Sequence, residues 1–224
     1  MKKLHNYRGI VGDDVIHQIY QKAACLYGKR VIHINSTFAG GGVAEMLTSL
    51  VPLLNDAGLY CDWRILRGTL DFFTVTKKFH NALQGGDIEL TQEMKQVYLQ
   101  TIQEFSDYAL LDHDGVIIHD PQPLALVDYI KKQQPWLWRC HIDLSQPNPD
   151  FADFLMPYLL RYDKMIVSSE KYKRKELPIE QMVYQPIIDP LVEKNREISE
   201  IEQLERLQEA GVPLDKPLIT QISR

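Results

Sequence analysis

Three short stretches of this chain gather residue types that do chemistry: "NSTFAGGGVAE" at 35–45, "VIIHDPQP" at 116–123 and "WLWRCHID" at 136–143. In the first, Gly40, Gly41 and Gly42 stand together behind Asn35 and ahead of a helical pattern. Ordered glycine costs backbone entropy. Such a cluster therefore answers either to a turn too tight for a Cβ or to a ligand that must approach the main chain. Three in a row at a helix start favour the second reading, with free amides turned towards an anion or hydroxyls. The run is not a dinucleotide fingerprint, because counting G-x-G-x-x-G from Gly40 puts Glu45 at the third glycine. No Lys-Ser/Thr pair follows to make a Walker loop. Glu45 itself suits the positive end of a helix dipole as a first-turn acid.

In the second stretch, Asp120 either caps a following helix or belongs with His119 to a site. The run from Pro121 to Pro123 stiffens the backbone behind both, which suits orientation of a sugar hydroxyl or a developing charge. In the third, His141 alone would pass for a core histidine. Flanked at alternate positions by Arg139 and Asp143, it becomes one of three polar groups on one face of an extended segment. Such a group is costly to bury without purpose. Trp136 and Trp138 read as packing. Asp112, His113 and Asp114, like His141 with Asp143, are metal-ligand types, but the two groups fall at opposite edges of a sheet, so no shared metal site is expected. No GxSxG elbow occurs.

The surrounding periodicity indicates what positions these residues. A helix is expected from Asp13 or Asp14 to Gly28, then a strand over "RVIHIN" (30–35), a helix over 43–58 bent at Pro52, and a strand over 60–68. Helices over 71–86 and 91–111 lead to a strand at 115–120, a helix from Pro121 to Lys132 and a strand at 136–143. A helix at 149–162, a strand at 164–169 and a short strand at 181–189 complete the alternation. This order predicts an α/β fold, Rossmann-like, with a parallel sheet, helices on both faces and right-handed crossovers. In open parallel sheets ligands bind beyond the carboxyl ends of the strands. There the sequence places Asn35 and the three glycines, Arg67 and Gly68, His119 and Asp120, Arg139, His141 and Asp143, and Ser168 and Ser169.

With 45% hydrophobic residues in 224, the chain can build a sizeable core. Lys and Arg total 25 against 30 for Asp and Glu, a net charge of -5, which lacks the basic excess that nucleic-acid binding needs. Cys25, Cys61 and Cys140 are widely spaced and form no CxxC pair, which suits a reducing cytoplasm. No apolar run resembles a signal peptide or approaches the ~20 residues of a membrane span. After Pro190 the texture turns charged and helical, so residues 1–190 are expected to form one domain and 191–224 a linker helix leading elsewhere. "PLITQISR" reads as the opening strand of a second domain from Lys216, as though the sequence were cut there.

Taken together, "HINSTFAGGGVAEMLTSLVPLLNDAG", "TKKFHNALQGG", "HDPQPLAL", "PWLWRCHIDLSQPN" and "PLITQISR" resemble the glycosyltransferring trehalose synthases, retaining glycosyltransferases of the two-domain GT-B architecture. Fungal-type trehalose phosphorylases share several of these strings, and the resemblance runs from about Arg30 to the C-terminus. It implies that a nucleoside diphosphate glucose and glucose give α,α-trehalose reversibly, with this domain holding the acceptor glucose. A C-terminal domain would hold the nucleotide sugar. By the same resemblance, Asp120 accepts hydrogen bonds from the acceptor, His141 lies beside the anomeric carbon, and Arg139 orients Asp120 or the sugar. Gly41 and Gly42 bring amides to the donor, while Asn35, Gly40, His119 and Asp143 are expected on the substrate side from their places at the strand ends. No metal or other cofactor is expected in this domain, and neither nucleic acid nor membrane as a partner; a homodimer stays open. The chain by itself is expected to transfer little or no glucose. A phosphorylase half, or a sugar-binding module without chemistry, are the competing expectations.

Overall fold

The computed structural model describes residues 2–221. One compact unit ends at Ile188 and a second begins at Asp189. In the first unit lie strands β1 (Arg30–Asn35), β2 (Tyr60–Ile65), β3 (Gly115–His119), β4 (Trp136–Arg139), β5 (Lys164–Val167) and β6 (Glu180–Val183). They form one sheet in the order β2-β1-β3-β4-β5-β6, every neighbouring pair parallel. Helices α1 (Arg8–Ala23), α2 (Gly42–Asp56), α3 (Leu70–Leu83), α4 (Gln92–Ser106), α5 (Leu126–Tyr129) and α6 (Pro149–Leu159) connect them. The order reverses between β1 and β3, because the chain steps outward to β2 and then crosses back through α3 and α4. A reversal of this kind opens a crevice at the carboxyl ends of the two central strands.

Strand pleating assigns the faces. Ile32 and Ile34, Val116 and Ile118, and Trp136 and Trp138 occupy alternate positions and are almost wholly buried. They pack in one apolar cluster with Phe72, Phe79, Tyr98, Ile102 and Phe151. The intervening positions point to the other face. There Val31 joins a smaller cluster with Ile16, Leu53, Leu54 and Leu59. His33 and His119 share that second face by the same parity.

Several sequence expectations need correction. The first helical stretch already starts at Arg8, but Gly12 (φ 78, ψ 165) interrupts it, so the unbroken part begins at Asp13. Helix α2, by contrast, carries Pro52 inside its span as expected. The helix expected from Pro121 to Lys132 shrinks to the single turn of α5. Leu124 to Val127, running into this turn, are all 0% exposed, and two tyrosine hydroxyls meet carbonyls of the stretch that leads to it. The Tyr98 hydroxyl donates to Pro121 O at 2.7 Å and the Tyr162 hydroxyl to Leu124 O at 2.6 Å. These phenols satisfy backbone groups that a helix would otherwise pair, and they pin the loop behind Asp120. Strand β4 ends at Arg139, four residues short of the extent read from the sequence.

In the second unit, helix α7 (Glu200–Glu209) is capped by the Ser199 hydroxyl, which accepts from Glu202 N. The strand expected from Pro217 does not form: the described residues 217–221 are irregular and exposed, Ile219 fully so. A strand needs a neighbour to pair with, and among the described residues the second unit holds no other strand. Residues 222–224 of that expectation lie outside the described part.

Candidate functional site

The rim at the carboxyl ends of β1, β3 and β4 is one continuous edge, with Ile34 beside Ile118 and His119 beside Arg139. On it three imidazoles stack into a row. His33 Nδ1 lies 2.8 Å from His119 Nε2, and His119 Nδ1 lies 2.9 Å from His141 Nε2. Their ring centroids are 5.1 and 5.3 Å apart. His33 and His119 are buried, while His141 is partly open. Burial, with the Arg139 cation nearby, pushes His33 and His141 down to about 4 and holds His119 well below its ordinary value. All three rings are therefore neutral near pH 7.

Asp120 leaves β3 with φ 62, the one positive φ at a non-glycine among the described residues. Aspartate tolerates this left-handed region better than most residues, yet still at a cost of about 1 kcal/mol. Three hydrogen bonds hold it there. Asp120 N donates to Arg139 O at 2.9 Å, Trp138 Nε1 donates to Asp120 O at 2.9 Å, and His141 N donates to Asp120 Oδ1 at 2.8 Å. The third bond fixes the carboxylate directly beneath the backbone of His141. Burial pushes the Asp120 carboxyl up to about 6, against the pull of the His141 amide and Arg139. Arg139 is itself lowered by burial, with Asp120 opposing. Its Nε is buried without a partner, and its Nη2 reaches Tyr184 O only at 3.5 Å. A carboxyl near neutral pH beside an under-occupied guanidinium can exchange protons with, and orient, a polar ligand.

The other predicted positions divide. Gly40 takes φ 81, which a side chain would strain, whereas Gly41 is extended at φ -157 and begins the cap of α2. A Cβ at any of Gly40, Gly41 or Gly42 would meet nothing within 4 Å. The turn thus requires glycine at 40, while the bare backbone at 41 and 42 has another reason, and room for a ligand is one. Asn35 is buried; its amide donates to Thr37 O at 2.7 Å and accepts from Trp63 Nε1 at 2.7 Å, so its side chain organises the loop leaving β1. His119, at 0% exposure, reaches the surface only through His141. Because β4 stops at Arg139, pleating does not align Arg139, His141 and Asp143, and Asp143 closes a local turn by accepting from Ser145 N at 2.8 Å.

At the opposite edge of the sheet, Asp112 pairs with Arg30, Asp114 with Lys29, and His113 with Asp62. These groups brace strand starts, and among the described residues no group of three or more His, Cys, Asp or Glu could hold a metal ion. His33 escaped the sequence reading because it sits inside an apolar strand run. A histidine between isoleucines was the available signal.

Fold and rim together define a Rossmann-like α/β domain whose six-stranded parallel sheet gathers polar residues at its carboxyl edge. Residues 33–174 match the family model described as "Trehalose synthase, N-terminal domain". The trehalose synthase of Thermococcus litoralis is 47% identical over 226 residues, covering 100% of this chain and 55% of that protein. A trehalose phosphorylase of Pleurotus pulmonarius is 32% identical over 157 residues, 63% of this chain and 21% of that one. Among solved structures, "Trehalose-6-phosphate from E. coli bound with UDP-2-fluoro glucose" superposes with a TM-score of 0.59 at 15% identity, over 81% of this chain and 54% of that one. The chain belongs to the trehalose synthase N-terminal-domain family. It spans about half the length of the trehalose synthases it matches.

Proposed function

We propose that this chain is the acceptor-holding part of a retaining glucosyltransferase that joins a nucleoside diphosphate glucose to glucose as α,α-trehalose, reversibly, in the cytoplasm. The bond from the anomeric carbon to the diphosphate breaks, the acceptor oxygen takes its place, and the acceptor's proton passes to the departing phosphate oxygen. Asp120 accepts from an acceptor hydroxyl, and the partly paired Arg139 holds carboxylate and sugar in register. The backbone at Gly41 and Gly42 approaches the donor, which is held by a further domain. Catalysis of this kind rests on positioning and preorganised charge. The observation that carries the reading is the strained Asp120, fixed by three hydrogen bonds and raised to about 6 at the point where strand order reverses. The names of the Thermococcus relative and of the E. coli structure's bound nucleotide sugar agree with it.

The Pleurotus relative supports a second reading, in which inorganic phosphate replaces the diphosphate. Full-length protein incubated with trehalose and ADP, UDP, GDP or phosphate separates the two. Release of a nucleoside diphosphate glucose supports the first; glucose 1-phosphate formed from phosphate alone selects the second. Asp120→Ala is expected to lower turnover roughly 100-fold, the scale of a lost positioning contact. Near-normal turnover would remove Asp120 from the site.

A further inference from the structure

The row of imidazoles has a consequence for His141 that follows from counting protons. A neutral imidazole carries one ring proton, on Nδ1 or on Nε2. The 2.8 Å and 2.9 Å contacts are hydrogen bonds, so each holds one proton between its two nitrogens. His119 uses both its nitrogens, and with one proton it must donate to one neighbour and accept from the other. Two arrangements remain. Either all three rings are protonated on Nδ1, with donation running from His33 to His141, or all three are protonated on Nε2, with donation running back. The tautomers are locked together.

The buried end decides between them. His33 Nε2 is buried and has no partner. In the Nε2 arrangement it would be an N–H donor with nothing to accept it, whereas in the Nδ1 arrangement it is only a bare lone pair. Orphaned buried N–H groups are the rarer defect. The open end is His141, the one ring of the three that is not fully buried. We propose that His33 and His119 are positioning residues that, through this chain, hold His141 with its proton on Nδ1, so that it presents an N–H donor to a hydroxyl of the bound sugar. The last clause rests on the glucosyltransferase reading; the tautomer pattern does not. The low basicity of all three rings, set by burial and Arg139, keeps a second proton from breaking the pattern.

The test is nitrogen-15 NMR of the histidine rings in the full-length protein at pH 7, with exposed His5 and His17 as internal references. The expected signature is Nδ1 protonation at His33, His119 and His141. A His141 that is protonated on Nε2, charged, or an even mixture overturns the proposal, and this measurement needs no variant. His33→Leu removes the end of the chain and is expected to shift His141 partly to the Nε2 form. His33→Asn, whose amide can donate where Nδ1 did, is expected to restore the wild-type pattern; an unmoved His141 in both variants refutes the relay. In trehalose synthesis, His33→Leu is expected to raise the KM for sugar about tenfold, the scale of one lost hydrogen bond, with kcat changed far less. The Nδ1 pattern in a protein that transfers no glucose would uphold the relay and defeat the functional reading instead.

Discussion

Acidification should destabilise the fold through the histidine row while its rings are still neutral in the folded chain. His33 and His141 titrate near 4 in the folded chain and near 6.5 when unfolded. Between those values the unfolded chain binds more protons, so stability is full above about pH 6.5 and falls as pH drops. Over the interval from 6.5 to 4.5, the linkage relation gives a loss of about 2 kcal/mol for each ring. Asp120 has the opposite sign. Its folded value of about 6 lies above the usual ~3.9, so the folded chain binds the extra proton and gains about 2 kcal/mol over the same interval. His33, His141 and Asp120 together give a net loss of about 2 kcal/mol, His119 adds to it in the same direction, and Asp120→Asn, which abolishes the offset, should deepen the loss by about 2 kcal/mol. Carboxylates held low by ion pairs, such as Asp112 beside Arg30, act below this window. Urea unfolding followed by circular dichroism at half-unit pH steps measures both slopes. A flat profile from 6.5 to 4.5, or an Asp120→Asn slope no steeper than wild type, would refute the assignment of neutral buried rings and a raised carboxyl.

The glycine turn separates two effects that usually travel together. Gly40→Ala should cost about 1 kcal/mol through its left-handed φ, while Gly41→Ala, extended and facing open space, should leave the unfolding midpoint unchanged yet, on the proposed glucosyltransferase reading, lower trehalose formation by the full-length protein; equal activity in Gly41→Ala and wild type would leave that backbone without a ligand. Gly68→Ala would drive its Cβ into the Phe72 ring, which is itself 0% exposed. The overpacking should cost about 1–3 kcal/mol in thermal or urea unfolding, and an unshifted midpoint would mean that the loop ahead of α3 yields freely.

Much of the rim was legible because it depends on local order. Alternating apolar runs and helical spacings reveal which residues leave each strand, so Gly40, Asp120, Arg139 and His141 could be picked out before any neighbour was known. Asp143 and Asn35 were chosen on the same logic, but their side chains serve local turns. The expected alignment of Asp143 with Arg139 and His141 extended the pleat beyond Arg139, where pairing with β5 ends. The short α5 was misjudged because periodicity cannot register two tyrosine hydroxyls arriving from α4 and from the turn after α6 to satisfy the backbone.

Sequence alone determined the alternation of strands and helices, the parallel sheet it entails, and the polar residues at its carboxyl edge, since each follows from residue type and spacing along a few turns of chain. Only the tertiary structure decided that His33 meets His119 across 86 residues, that Asp120 is bent into the left-handed region, and that both meet at His141. Those contacts depend on β1 and β3 lying side by side although β2, α3 and α4 separate them along the chain. Strand order is a property of packing in three dimensions, and periodicity along the chain carries no record of it.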